Sequence, residues 1–334
     1  MSRFPMPRYP NGWFQVAYSD ELEPGAVRPI KYFGRDMVLF RTESGKAAVL
    51  DAFCPHLGAH LGHGGKVVGE SVQCPFHAWS FGCDGQCTEV PYATKIPPRA
   101  KVSPWTVVER AGLILVWFHA EGLPPQWEVP EVPEYGNDEW TPYERRSWKI
   151  KTHNQEMAEN SCDSAHFLYV HGTAGMPSTR VEVKDHLLHM FSETKMTTPM
   201  GKVGGSVESL LYGFGFTLTR FKGIVDTLLV SSATTIDEDY VEMRFSFTVK
   251  KLPTKDVTKT VGRAFIAEIE RQVGQDIPIW ENKAYKQAPL IVDGDGPLST
   301  FRRWVKQFYS EPKASLPVVG NAPGTGTNGT TASA

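Results

Sequence analysis

The sequence predicts an α+β fold in two parts: a small antiparallel β domain, then a larger domain of antiparallel sheet with helices. Three observations predict it. Short apolar runs separated by turns fill residues 35–120. A strand-like stretch runs from Val181 to Lys250. Helical stretches flank it, from about Gln155 to Phe167 and from Gly262 to Tyr285. Taken in order, residues 1–34 are expected as an N-terminal segment packing on the larger domain. Residues 37–41 (MVLFR) and 47–53 (AAVLDAF) flank the turn Glu43-Ser-Gly-Lys46, which reads as a β-hairpin. Val67–Gln73 and Ala78–Phe81 read as short strands, and Leu113–Phe118 (LILVWF) as a buried one. The Pro-rich stretch Leu123–Tyr135 is a connector. Trp148–Thr152 leads into the first helical stretch. Met243, Phe245, Phe247 and Val249 alternate with Arg244, Ser246 and Thr248, the pattern of a half-buried antiparallel strand. From Lys313 on, Gly, Thr, Ser, Pro and Asn dominate, which predicts a disordered tail. The expected domains are thus 35–120 and 121–312, between the segment 1–34 and the tail 313–334.

Two groups of residues carry chemistry. Cys54-Pro-His56 and Cys74-Pro-Phe-His77 form a Cys/His quartet split between two short loops, a metal site by spacing. The mixed C-x-H and C-x-x-H form suits a Rieske [2Fe–2S] cluster, with two thiolates on one iron and two imidazoles on the other. A structural zinc site takes the same residue types, but zinc fingers more often space their histidines three to five residues from each other. His60 and His63 lie in the first loop and fit no second pair. The second group is Asn160-Ser-Cys-Asp163-Ser-Ala-His166 followed by His171. Asn160, Asp163 and His166 step by three, so a continuous helix would put them on one broad face. His171 needs a break near Tyr169–Val170 to come round. Two histidines and a carboxylate form the facial triad of non-haem Fe(II) oxygenases, which leaves open positions on the metal. The carboxylate must come from farther along the chain, and Glu268, Glu270, Asp276 and Glu281 are the candidates. Pro278 should kink that helix by pressing on the carbonyl of Gly274.

The combination resembles the catalytic α subunit of the Rieske non-haem iron oxygenases, over nearly the whole chain from Gly12 to Tyr309. Within them it is most similar to the oxygenase component of 3-ketosteroid 9α-hydroxylase. The segments that carry this are CPFHAWSFGCDGQC, VPYATKIPPRA, DSAHFLYVH, QDIPIWENK and FRRWVKQFY. The resemblance implies a [2Fe–2S] cluster on Cys54, His56, Cys74 and His77. It implies mononuclear Fe(II) on His166, His171 and Asp276, the last selected by the late Q-D-x-x-I-W stretch. It implies that Asp163 links His166 to His77 of an adjacent chain in a homotrimer, with Asn160 near the iron. It also implies monooxygenase activity on an apolar polycyclic substrate, a 3-ketosteroid first, with another aromatic, terpenoid or sterol substrate and dihydroxylation or desaturation as the alternative.

Composition fits this reading. A formal net charge of −2, with acids and bases mixed, offers no basic patch for nucleic acid. No apolar run reaches membrane-spanning length, and the start MSRFPMPRYPNGW has no apolar signal-peptide core. Five cysteines, two of them in the quartet, do not suggest a disulfide framework; Cys83 and Cys87 read as free thiols and Cys162 as a buried helix residue. A cytoplasmic location is expected. There is no dinucleotide-binding fingerprint, so NAD(P)H electrons must come through a separate flavin/iron–sulfur reductase or a ferredoxin. Met176, Leu210, Leu211, Tyr212, Phe214, Phe216 and Leu228 are either pocket lining or, as the weightier reading, ordinary sheet core.

Overall fold

The computed structural model describes residues 3–173, 175–198, 201–292 and 294–310. The tail expected from residue 313 on lies outside the described residues. The first part contains β1 (Gly12–Tyr18), β2 (Val27–Tyr32), β3 (Arg35–Arg41), β4 (Ala47–Asp51), β5 (Lys66–Val68), β6 (Ser71–Gln73), β7 (Ser80–Gly82), β8 (Cys87–Glu89), β9 (Val107–Arg110) and β10 (Leu113–Phe118). The second contains β11 (Glu144–Ile150), α1 (Asn154–Asn160), α2 (Ser164–Tyr169), β12 (Ser178–Lys184), β13 (Leu187–Thr198), β14 (Gly201–Tyr212), β15 (Thr217–Lys222), β16 (Thr227–Thr235), β17 (Val241–Val249), α3 (Lys255–Asn282) and α4 (Leu298–Trp304). Small antiparallel sheets β1-β10-β9, β2-β3-β4 and β5-β6-β7-β8 make the first part, and one sheet ordered β11-β17-β16-β15-β14-β13-β12 makes the second.

Period-two geometry explains why β3 and β4 read as unbroken apolar runs. Successive side chains point to opposite faces. Met37, Leu39, Ala47 and Val49 join the large core shared with β1, β10 and the second sheet. Val38, Phe40, Ala48 and Leu50 join the core under the cysteine loops. Both faces are buried, so neither needs polar residues.

The N-terminal segment does more than pack on the larger domain. Arg8 and Asn11 do reach it, at the carbonyls of Asp237 and Phe308. Yet β1 pairs with β10, and β2 pairs with β3. A boundary at residue 35 therefore cuts a hairpin.

The alternation in β17 holds, but its polar face is covered rather than solvated. Arg244 donates to the Gln15 carbonyl at 3.0 Å and to the Tyr32 hydroxyl at 2.7 Å. The Ser246 hydroxyl meets that of Tyr18 at 3.1 Å. The first part of the chain is docked on this face, and hydrogen bonds take the place of water.

The helical run near residue 160 is two helices, not one. α1 ends at Asn160, and Asp163 caps α2, its Oδ1 accepting from the backbone N–H of Ala165 at 3.0 Å and of His166 at 3.2 Å. Asn160, Asp163 and His166 therefore do not share one continuous helix face. α3 starts seven residues earlier than Gly262, at Lys255, capped by Thr254, and runs through Pro278 as one helix to Asn282.

α1 is held by buried polar groups. Glu159 lies in a two-pronged pair with Arg302 of α4, at 2.6 and 2.7 Å. Removing one partner of such a pair strands a charge, so Arg302→Ala should cost about 3–5 kcal/mol by denaturant unfolding. A loss below about 1 kcal/mol, the range of exposed pairs, would contradict this. His153, at the start of α1, is fully buried. Its Nδ1 accepts from Gln155 N–H and its Nε2 donates to the Pro7 carbonyl, both at 3.1 Å. Burial pushes its pKa from 6.5 down to about 4. Between these values the unfolded chain holds a proton that the folded chain lacks, so stability falls as pH drops through this window. The slope from this residue is roughly 1.4 kcal/mol per pH unit. Urea midpoints between pH 7 and pH 5 should show it, and His153→Gln should flatten the slope; a slope retained in full assigns it elsewhere.

Candidate functional site

The two cysteine loops are built alike. In the first, Cys54 N–H donates to the Ala59 carbonyl at 2.9 Å, and Gly58 N–H returns to the Cys54 carbonyl at 2.9 Å. In the second, Cys74 N–H donates to the Trp79 carbonyl at 2.7 Å, and Ala78 N–H returns to the Cys74 carbonyl at 3.1 Å. Gly58 and Ala78 occupy the same place and both have positive φ, 77° and 59°. This backbone is easy for glycine and strained for alanine, and such strain clusters at functional sites. The loops bring the His56 ring to 4.6 Å from that of His77 and set Cys54 beside Cys74.

The four side chains fit an iron–sulfur cluster. Cys54 and Cys74 are buried, and burial pushes the Cys54 thiol up to about 11. A thiolate there needs a cation beside it, which cluster iron supplies. His56 and His77 lie at the half-buried outer edge, with ring centroids 4.6 Å apart. His56 stacks on Trp79, and its Nδ1 is buried with no hydrogen-bond partner among the described residues. A buried orphan nitrogen is costly unless something binds it, and a metal would. The His60 and His63 rings lie 4.5 Å apart at a tilt of 56°, and His60 Nδ1 accepts from Gly62 N–H. Cys83 and Cys87 are free, and Cys162 is buried.

The second centre forms where α2 meets α3. His166, His171 and Asp276 place ligand-capable atoms within 4.8 Å of one another. α2 stops at Tyr169, and the His171 N–H still reaches the His166 carbonyl at 3.4 Å, with the two rings 5.0 Å apart. His166 Nδ1 donates to the Asp163 backbone carbonyl at 2.5 Å, and its Nε2 accepts from Asn160 Nδ2 at 3.1 Å. His171 Nδ1 donates to Gln275 Oε1 at 3.0 Å, leaving Nε2 3.4 Å from Asp276 Oδ2. Both imidazoles are thus held in one tautomer, with the Nε2 lone pair facing inward, as a metal ligand requires. Burial lowers the pKa of His166, which keeps it neutral, and pushes Asp276 up to about 6. Asn160 also donates to Asp276 at 3.1 Å. The donor set of two neutral imidazoles and one carboxylate fits iron.

Asp163 meets the His166 imidazole through its main-chain carbonyl, not its carboxylate. Oδ1 caps α2, and Oδ2 has no hydrogen bond among the described residues. Gln275 escaped sequence reasoning because its role depends on a contact 104 residues away. The wall of the site escaped too. A cavity of about 700 Å³ opens on the triad, between α3 and the sheet face of β13–β17. Of the candidate lining residues, only Leu211 and Phe214 line it; Phe216 and Leu228 are core, and Leu210, Tyr212 and Met176 lie off its wall. The signal for the roof was legible: Val261, Phe265, Glu268, Gln272, Asp276 and Trp280 repeat at helical spacing.

Comparison with known proteins gives the family. Residues 12–103 match the Rieske [2Fe-2S] domain, and residues 116–309 match the 3-ketosteroid 9alpha-hydroxylase C-terminal domain. The chain belongs to the Rieske oxygenases. It is 33% identical to the cholesterol 7-desaturase nvd of Xenopus laevis, over 91% of this chain and 72% of that one. It is 32% identical to a 3-ketosteroid-9-alpha-monooxygenase oxygenase component of Rhodococcus rhodochrous, over 90% of this chain and 82% of that one. In fold it is similar to NdmA of Pseudomonas putida CBB5 solved with caffeine, at TM-score 0.73 and 19% identity, covering 88% and 89% of the two chains. As the oxygenase component of a Rieske system, it carries a [2Fe–2S] cluster, uses iron, and receives electrons from a separate reductase. Among the described residues no helix is long and apolar enough to cross a membrane.

Proposed function

We propose that this oxygenase hydroxylates a neutral apolar polycycle, a 3-ketosteroid first. The observation that carries this is the cavity of about 700 Å³, mostly apolar, with the triad in its wall. Its size lies in the range of small-molecule sites. Similarity to 3-ketosteroid monooxygenase components supports the substrate class. Similarity to a cholesterol 7-desaturase favours a second reading, desaturation of a sterol at the same site. Mass spectrometry after turnover with reductase and NADH separates them: one added oxygen supports hydroxylation, and loss of two hydrogens supports desaturation. An unchanged panel of 3-ketosteroids and sterols, with enzyme that carries both metals, would reject both.

On this reading Cys54 and Cys74 would hold one cluster iron and His56 and His77 the other, while His166, His171 and Asp276 would hold Fe(II). One-electron transfer and activation of O2 are the chemistry that these groups supply when bound. The chain does the rest. The Asp163 carbonyl and Gln275 orient the imidazoles, Asn160 holds the Asp276 carboxylate in place, and the apolar walls exclude water.

The working form is a homotrimer in which Asp163 of one chain approaches His77 of the next. Three features support it. His77 is partly exposed. Leu57 and Phe76 stand 64% and 61% exposed around the cluster, and Tyr169 stands 81% exposed beside the triad. The Asp163 Oδ2 is unspent. NAD(P)H feeds the reductase, and the free cysteines suit a cytoplasmic setting.

A further inference from the structure

The sheet wall of the cavity carries a feature that iron chemistry does not use. Ser209 pairs with Thr219 across β14 and β15, and Thr217 pairs with Ser231 across β15 and β16. Residues 217 and 219 share one face of β15 by the two-residue period. All four line the cavity, so their hydroxyls form a band over three strands. The band is set in an apolar surround of Val207, Leu211, Phe221, Leu229 and Phe245. The Ser209 and Thr219 hydroxyls bond each other at 3.0 Å, which uses one of their hydrogens. Those of Thr217 and Ser231 have no side-chain hydrogen bond among the described residues. Donors are therefore left over on an apolar wall, facing the α3 roof that carries Asp276.

Charge narrows the ligand further. Among the described residues that line the cavity there is no Lys or Arg, while Glu268 and Asp276 both lie there. Glu268 is already paired with Arg271 at 2.6 Å. A carboxylate set against the hydroxyl band would lose its water and meet no Lys or Arg side chain, at high cost. A ketone or hydroxyl needs only a hydrogen bond.

We propose that the Ser209–Thr219–Thr217–Ser231 band binds an uncharged ketone or hydroxyl oxygen of the substrate. The band thereby turns the C–H bond to be oxidised toward the triad and excludes carboxylate-bearing analogues. This rests on the neutral polycyclic substrate given under Proposed function, and binding measurements separate the two. Equilibrium dialysis of the metal-replete protein would use 4-androstene-3,17-dione, 5α-androstane and the 17β-carboxylate of androst-4-en-3-one. The dione should bind, with the carboxylate about a hundredfold weaker. A Thr217→Val/Ser231→Ala variant should weaken the dione about tenfold and leave androstane, which has no oxygen, within about twofold. Iron content and circular dichroism check that the variant folds. Unchanged dione affinity, equal losses for dione and androstane, or a carboxylate bound as tightly as the dione would each overturn the band. Failure of both dione and androstane to bind the unmodified protein would instead overturn the steroid reading, and the band's role with it.

Discussion

His166→Ala should leave the [2Fe–2S] absorbance of the oxygenase intact while mononuclear iron and oxygen insertion are lost. The expected fall in turnover is at least about a thousandfold, because removing a metal ligand removes the metal's contribution rather than weakening it. The two centres are built by different segments, which is why the effects should separate. The cluster loops hang on β4–β8, and the triad hangs on α2 and α3. Asp276→Ala should behave in the same way, since its carboxylate is the anionic member of the set within 4.8 Å. Iron and acid-labile sulfide analysis checks both variants. Two iron pools unchanged in each would reject the triad.

Asp163→Ala should keep both metals and still lose coupled product formation by about a hundredfold or more. The argument rests on what each atom of Asp163 does. Its carbonyl, which the substitution preserves, orients His166 at 2.5 Å. Its Oδ1 caps α2, worth about 1 kcal/mol, too little to unfold the chain. What remains is Oδ2, which the proposed trimer would offer to His77 of the next chain. Asp163→Asn keeps the cap and loses the charge, so it separates capping from bridging. Reduction of the cluster followed by rapid mixing with O2 and substrate reads the step directly: the cluster should stay reduced in both variants. Near-normal product in Asp163→Asn would end the bridging role.

Much of this candidate site was legible in the sequence because its candidate ligands are local. Cys54 and His56 are two residues apart, and Cys74 and His77 three, so spacing alone fixes what one short loop can hold. His166 and His171 were legible for the same reason. Asp276 was not, since four acids lie in the same helical stretch and only the fold chooses among them; the resemblance supplied it. The break between α1 and α2 was hidden because Asn160 to His166 keeps helical spacing, while Asp163, placed to cap, ends the continuity. The cavity was least legible. Strands β15–β17 are covered on both faces, by the first part of the chain and by α3, so alternation does not say which face is core and which is wall. On β14, Leu211 lines the cavity while its neighbours Leu210 and Tyr212 do not.

The measurement that tests the account most directly is a single turnover without any reductase. The metal-replete protein, with its cluster chemically reduced, would be mixed with 4-androstene-3,17-dione under 18O2, and the product examined by mass spectrometry. One 18O atom in a hydroxylated steroid, with oxidation of the cluster, is the predicted result. A reoxidised cluster with no labelled product, or product oxygen drawn from water, would contradict it.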